Sequence, residues 1–352
     1  KGLFDGIMSM HTLLRKIELA GMDRKTQKGG KPIAAALPGT AMGIGLEIPL
    51  ACHRIFAADN PKAMIGLPEI KVGIFPGAGG TTRLAWKLGA MAASPLLLQG
   101  QALNPAKAKA AGIIDEVVPA AELLSAAKAW VLGATDADLV KGWDKKGYKV
   151  PGGTPYHPAG FPTFVGASAM VHANTWGVYP AAKALLSAVY EGLQVPFDTA
   201  LKIEARWFTH VLLDPSSSAM IRSLFVNKGA LEKGANRPDV PDERVKKVGV
   251  LGAGMMGAGI AYVSAIAGIE VVLLDSSIEA AEKGKAYSTG ILDKGMKRGK
   301  VTEEKKATVL GQIKTTSDYA DLAGCDLIVE AVFEDPSVKA EVTAKAEAVI
   351  PD

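Results

Sequence analysis

The segment RVKKVGVLGAGMMGAGIAYVSAIAGIEVVLLD, residues 244–275, reads in order as strand, glycine turn, helix and strand. Val248–Leu251 is wholly apolar, as a strand buried on both faces of a parallel sheet must be. The turn carries Gly252, Gly254 and Gly257 in the G-x-G-x-x-G spacing, and the helix continues to about Ala267. The strand Glu270–Leu274 then ends at Asp275, close to the spacing of about 20 residues at which an acidic side chain meets a ribose. The first glycine permits the tight turn, the second lets a pyrophosphate lie against backbone, and the third lets helix and strand pack closely. Asp275 is followed by Ser276 and Ser277 and by no arginine that could neutralise a 2′-phosphate, so the pattern favours NAD over NADP. The other reading of the same glycines is a tight turn in an α/β domain that holds no dinucleotide.

Outward from this segment, strands are expected near Gln312–Thr315 and Asp326–Val332, with a charged helical stretch before them and a last helix from about Ser337 to Ala348. Glu330, Glu334 and Lys339 follow the fourth strand, at the carboxyl edge where open α/β sheets bind ligands. Upstream, NRPDVPDE (residues 236–243) is a break rich in proline and charge that marks a domain boundary. Before it, Tyr179–Leu193, Pro196–Leu213 and Pro215–Lys233 have helical spacing. Thr135–Trp176 is dense in glycine, proline and aromatics, lacks a clear period and reads as a long connecting loop.

The first third has its own focus at Lys31–Arg83, where two glycine-rich turns accompany two carboxylates, Glu47 and Glu69. An apolar strand (Pro32–Leu37) enters Gly39, Gly43 and Gly45, and a helix follows with Glu47 in its first turn. Pro76–Gly80 repeats the device and opens a helix near Thr81. Glycines at such junctions let backbone N–H groups approach an anion or a polarised carbonyl at the positive end of a helix. A glutamate at a helix start is also a favourable charge near the dipole and nothing more. Here both stand in apolar segments, where burial moves a carboxyl pKa toward the range useful for acid and base work. Around them, Leu3–Ala20 has the spacing of an amphipathic helix, and Met91–Gln99 and Asn104–Ala111 read as short helices, the second capped by Asn104 with Pro105 at its first position. A short strand (Ile113–Pro119) and an alanine-rich helix (Ala120–Leu132) close an α/β unit near Gly133. Lys28, Lys31, Arg54, Lys62, Lys71, Arg83 and Lys87 offer a basic rim for a phosphorylated ligand. His53 reads as structural.

The chain has 352 residues, 48% of them apolar and 22% charged, with a formal net charge of +4. That length suits two or three domains. The small charge is not the footprint of a nucleic-acid binder, and no apolar run reaches the ~18 residues that suggest a membrane span. Two cysteines, Cys52 and Cys325, are too few for a disulfide framework or a Cys-rich metal site, which favours a reducing, cytoplasmic setting, and no metal site is expected. Lys1 is not a start residue, so the chain is read as an internal piece of something longer.

PGTAMGIGLE (residues 38–47) resembles the crotonase turn whose backbone amide polarises a thioester, and LPEIKVGIFPGAGGTTRL (residues 67–84) resembles the segment that bears the second catalytic glutamate. VGVLGAGMMGAGIA and DLIVEAVFEDPSVKAEV are similar to the cofactor domain of a 3-hydroxyacyl-CoA dehydrogenase. KGWDKKGYKVPGGTPYHPAGF and YEGLQVPFDTALKIEARWFTHVL resemble the bacterial form of one family that joins the two. That family is the multifunctional enzyme of fatty-acid β-oxidation, an enoyl-CoA hydratase/isomerase fused to an NAD-dependent 3-hydroxyacyl-CoA dehydrogenase.

The resemblance implies an α/β chain in three parts: a partial crotonase-like domain at 1–133, a linker with connecting helices at 134–243, and a Rossmann NAD-binding domain at 244–352. It implies Glu47 and Glu69 as the hydratase pair and the amide of Ile44 as an oxyanion donor, although glycine is usual where Ile44 stands. Gly252, Gly254, Met255, Met256, Gly257, Asp275, Glu334 and Lys339 are the implied cofactor contacts. The family's other oxyanion donor is expected before Lys1 and the dehydrogenase histidine after Asp352, so neither activity is expected to be complete within the chain. An acyl-CoA thioester substrate, a thiolase partner and an oligomer at full length are expectations of the resemblance alone. Two other readings stay open: a dehydrogenase whose N-terminal part only binds the acyl-CoA, and a cofactor-binding scaffold without turnover.

Overall fold

The computed structural model describes residues 1–239, 241 and 244–350. Val240, Asp242 and Glu243, within the break and linker expected up to 243, and Pro351 and Asp352, at the end of the expected NAD-binding domain, lie outside the described residues. The chain separates into two compact units, Lys1–Arg237 and Pro238–Asp352.

In the first unit, helix α1 (Gly2–Leu19) buries a face made of His11, Leu14, Arg15 and Glu18. Three of those four are polar, so this face needs ionic partners as well as apolar ones. Strands β1 (Ala34–Leu37) and β2 (Ala41–Met42) lead into α2 (Ile44–Ala51), followed by β3 (Arg54–Ala58), β4 (Ile65–Gly66) and a three-ten turn at Glu69–Val72. Then come α3 (Gly80–Leu88), α4 (Ala90–Leu97), β5 (Ala102–Leu103), α5 (Pro105–Ala110), β6 (Glu116–Val118), α6 (Leu123–Gly133) and the single turn α7 (Asp136–Leu139). The cap expected at Asn104 forms, its side chain accepting from the Lys107 N–H. β1, β3 and β6 make a parallel sheet in the order β1-β3-β6. β2, β4 and β5 make a second small sheet in which β2 and β4 are parallel and β5 antiparallel.

The stretch expected as a long loop holds a helix, α8 (Phe161–Thr175), of 15 residues. Its pattern lacks a period because it buries little: Val171 is its one buried residue, while Phe161, Val165 and Met170 are exposed. Helices α9 (Pro180–Gly192) and α10 (Phe197–Leu212) follow. The segment expected as one helix after Pro215 is helical in three stages, α11 (Pro215–Met220), a π-helical run Ile221–Asn227 and α12 (Lys228–Glu232). Ala181, Leu185 and Ala188 of α9 and Val211 of α10 sit in the same core as Leu46, Leu50, Ile65, Leu67, Phe75 and Leu84.

The second unit is a parallel sheet of β7 (Lys247–Leu251), β8 (Glu270–Leu274), β9 (Ile313–Thr316) and β10 (Leu327–Glu330) in the order β10-β7-β8-β9. Helices α13 (Met255–Ile266), α14 (Ile278–Lys297), α15 (Glu303–Gly311) and α16 (Pro336–Glu347) cover it. Side chains alternate along a strand. Val248, Val250 and Leu273 accordingly pack with Ala261, Ala265 and Leu292, and Leu251, Val272 and Leu274 with Leu322 and Ala346 in a separate cluster.

Candidate active site and cofactor site

Gly43 caps α2 at φ 58°, a left-handed backbone that strains any other residue. Among the described residues Ile44 is not one of those with positive φ. The conformational demand of the turn therefore falls on Gly43, and a β-branched residue fits at the first helical position. Ile44 is 47% exposed, and an N–H at this position has no acceptor within its own helix.

One turn on, Glu47 is buried at 3% exposure. Its Oε1 accepts from the N–H of Ala78 (2.9 Å) and of Gly80 (2.8 Å). A Cβ on Gly80 would lie 2.7 Å from that oxygen, so the glycine turn gives Glu47 its place. Glu69 opens the three-ten turn. Its Oε1 lies 3.1 Å from where a Cβ on Gly43 would stand, and its Oε2 is buried without a hydrogen-bond partner among the described residues. Both carboxyls, Ile44 and the Gly77-Ala78 backbone line one cleft of about 490 Å³ whose other walls include Ile7, Met10, Phe75 and Phe208.

Burial pushes the Glu47 carboxyl up to about 8, with the negative charges of Glu204 and Glu69 adding to the rise and the two amide donors opposing it. Burial likewise lifts Glu69 to about 7, with Glu204 adding. Two interacting carboxyls titrate as a pair, so across neutral pH one proton is held between them.

The second glycine turn differs from the sequence expectation. Its N–H groups do not face a ligand: those of Ala78 and Gly80 go to Glu47, while Gly79 (2.6 Å) and Thr82 (2.7 Å) donate to the two oxygens of Glu204 on α10. Glu204 and its neighbour His11 were missed in the sequence. A signal was present, since Glu204 lies on the stripe Phe197, Ala200, Leu201, Ala205 that α10 buries. The basic rim is also revised. Arg83 is fully buried with Nε 2.9 Å from Glu18, Arg54 pairs with Glu116, and Lys87 donates to the Ile113 carbonyl. His53 bridges the Ile33 N–H and the Glu18 carbonyl, a structural task.

In the second unit, the glycine turn sits between β7 and α13. A Cβ on Gly257 would lie 1.7 Å from the Gly252 carbonyl oxygen, whereas one on Gly254 would meet nothing within 4 Å. The third glycine thus serves packing, and the second leaves open the approach that a pyrophosphate needs. Met255 and Met256, in the first turn of α13, are exposed. Asp275, at the end of β8, accepts from the Ala253 N–H (2.7 Å) and so lies against the turn. At the end of β10, Lys339 Nζ is 3.1 Å from Glu330 and 3.0 Å from Glu334. β10 pairs with β7, and a Cβ on Gly252 would approach the Ala331 carbonyl, so this cluster and the turn share one sheet edge. These residues fit NAD: an open backbone cradle at a helix N-terminus with a carboxylate beside it.

Residues 11–136 match the enoyl-CoA hydratase/isomerase family model, and residues 247–352 match that of the 3-hydroxyacyl-CoA dehydrogenase, NAD binding domain. The first match lies within the first compact unit and the second within the second, so the one chain resembles both families. The fatty acid oxidation complex subunit alpha of Shewanella halifaxensis is 35% identical over 318 residues, 90% of this chain and 44% of the relative. That of Shewanella amazonensis is 33% identical over 323 residues, again 90% and 44%. The chain thus spans less than half the length of these curated relatives. Among solved structures, (S)-3-hydroxybutyryl-CoA dehydrogenase from Ralstonia eutropha is 36% identical, with a TM-score of 0.30, over 31% of this chain and 38% of that one.

Proposed function

We propose that the protein in its full length hydrates trans-2-enoyl-CoA to 3-hydroxyacyl-CoA in the first unit and oxidises the product to 3-oxoacyl-CoA with NAD held by the second. The observation that carries the first step is the meeting of Glu47, Glu69 and the N-terminus of α2 in one largely apolar cleft. The thioester oxygen lies at the Ile44 N–H, where charge that develops on it is stabilised in surroundings of low dielectric. Glu47 takes a proton from water as the water oxygen bonds to Cβ. Glu69 gives its proton to Cα, and the double bond becomes single. The proton gained at Glu47 replaces the one lost from Glu69 by exchange across the pair. The amides on Glu47 only partly offset the rise that burial imposes on its carboxyl, so its role as base rests on its place in the cleft, while Glu69, with Oε2 unpartnered, is placed to donate.

In the second unit NAD, when bound, supplies the two-electron oxidant. Gly254 and the first turn of α13, with Met255 and Met256, would receive its pyrophosphate, Asp275 would accept from the ribose hydroxyls, and Glu334 and Lys339 would stand beside the cofactor. The domains follow: a hydratase domain at 1–133, connecting helices at 134–243 and the NAD-binding domain at 244–352. A thiolase partner, a full-length oligomer and a cytoplasmic location belong to the same proposal, with support for the partner from relatives named as subunits of a complex. Co-purification and sizing of the full-length protein test it.

Glu69→Gln tests the main reading. Hydration, followed without NAD by loss of enoyl-thioester absorbance, should fall by about 10²–10⁴-fold, while oxidation of added 3-hydroxyacyl-CoA persists. Equal loss of both would refute it. A wild type that oxidises but never hydrates would favour a first unit that only binds the acyl-CoA.

A further inference from the structure

The Pro76–Thr82 turn is held from four sides. Its amides alternate between two carboxylates, Ala78 and Gly80 to Glu47, Gly79 and Thr82 to Glu204. Its carbonyls go to two cationic or titratable groups, Gly77 to His11 Nε2 (2.7 Å) and Ala78 to Arg83 Nη1 (3.3 Å). Glu204 is fully buried on an otherwise apolar helix face. A leucine there would suit the packing but would leave two amides at the start of α3 without acceptors, and an unpaired buried N–H is costly.

We infer that Glu204 is a positioning residue for hydration: from α10 it fixes the turn whose Ala78 and Gly80 amides orient Glu47. The inference rests on the hydratase reading of Glu47 and Glu69. Its charge acts on the same pair, since a nearby negative charge favours the protonated form of a carboxyl, and Glu204 is among the causes that lift both Glu47 and Glu69. His11 from α1 lies 3.5 Å from Glu204, Glu47 and Glu69 feel its charge across the turn, and Arg83 from α3 acts on His11 while paired with Glu18. From α9, Glu191 is engaged instead with Arg206 and Trp207. His11 is pulled down by burial and brought above the ordinary histidine value by Glu204 and the Gly77 carbonyl. Farther along α1, Arg15 and Glu18 are paired with each other, and Arg15 also with Asp144 and Asp198.

The test uses Glu204→Gln and Glu204→Asp in the full-length protein. Gln keeps the shape, removes the charge and leaves one amide without its acceptor. Its kcat for hydration should fall roughly 10–100-fold with KM little changed, as for a misplaced catalytic group, and the acidic limb of the rate profile should move to lower pH. Asp keeps the charge but cannot span both amides, so it should lose rate while its acidic limb stays in place. Oxidation of added 3-hydroxyacyl-CoA should be unaffected in both. A folded Gln variant with unchanged kcat and limb overturns the inference. Where the Gln variant does not fold, an Asp variant with unchanged kcat overturns it. Where neither folds, amides 79 and 82 of the wild type that exchange as fast as exposed loop amides overturn it. A wild type without hydration removes the hydratase reading and this inference together, an outcome seen before any variant is made.

Discussion

Glu47 and Glu69 keep their carboxyls in an apolar cleft, and their raised pKa values have two consequences. The proposed hydration needs one proton on the pair, so kcat/KM should be bell-shaped in pH. The rate falls below about 7, as both carboxyls become protonated, and above about 8, as both ionise. Initial rates of hydration from pH 5 to 10 check this. The second consequence concerns stability. A carboxyl whose folded-state pKa is raised contributes fully below its unfolded value, and that contribution is lost as pH rises toward about 8. Glu47→Gln should therefore inactivate hydration yet raise the Tm of the first unit at pH 9 by a few degrees, about 1–3 kcal/mol after relaxation of the site. Near pH 4.5 the difference should vanish, and thermal melts at the two pH values decide it. These two glutamates were legible because each interrupts an apolar segment beside glycines. Glu204 was not read as a site residue because the amides it serves belong to a turn more than 120 residues earlier.

At the scale of the elements, glycine turns set where α2, α3 and α13 begin, but they serve different ends. The turn before α2 leaves a helix N-terminus facing the cleft, and the turn before α3 is consumed by two internal carboxylates. The turn before α13 combines a close helix–strand contact at Gly257 with open space at Gly254. Gly257→Ala should force α13 away from β7 and weaken NAD binding by at least about 10-fold, the order of 1.4 kcal/mol, while hydration in the first unit persists. Titration of NAD by protein fluorescence measures the first and the enoyl-thioester assay the second. Composition alone distinguishes these turns poorly, since the destination of each N–H depends on what packs over it. The same reason hid α8: it buries one residue along its length, so its pattern has no apolar stripe to read.

The whole first unit extends beyond the segment that matches the hydratase/isomerase family. Its core takes Ala181, Leu185, Ala188 and Val211 from α9 and α10, and its turn takes Glu204. A chain ending at residue 136 should lack cooperative thermal unfolding, whereas residues 1–237 should melt as one transition. Calorimetry of the two pieces tests this. The α/β class, the strand–turn–helix–strand of the cofactor unit, most helices and the two cleft glutamates could be read from order and spacing, because local propensity and periodic burial act over a few residues. Packing alone decided that Arg83 is an interior ion-pair partner, that Gly43 rather than Ile44 carries the left-handed backbone, and that Glu204 holds the turn behind Glu47. Each of these depends on which groups remain without partners once distant helices close over them, and a buried N–H or charge takes the nearest acceptor in space, whatever its distance along the chain.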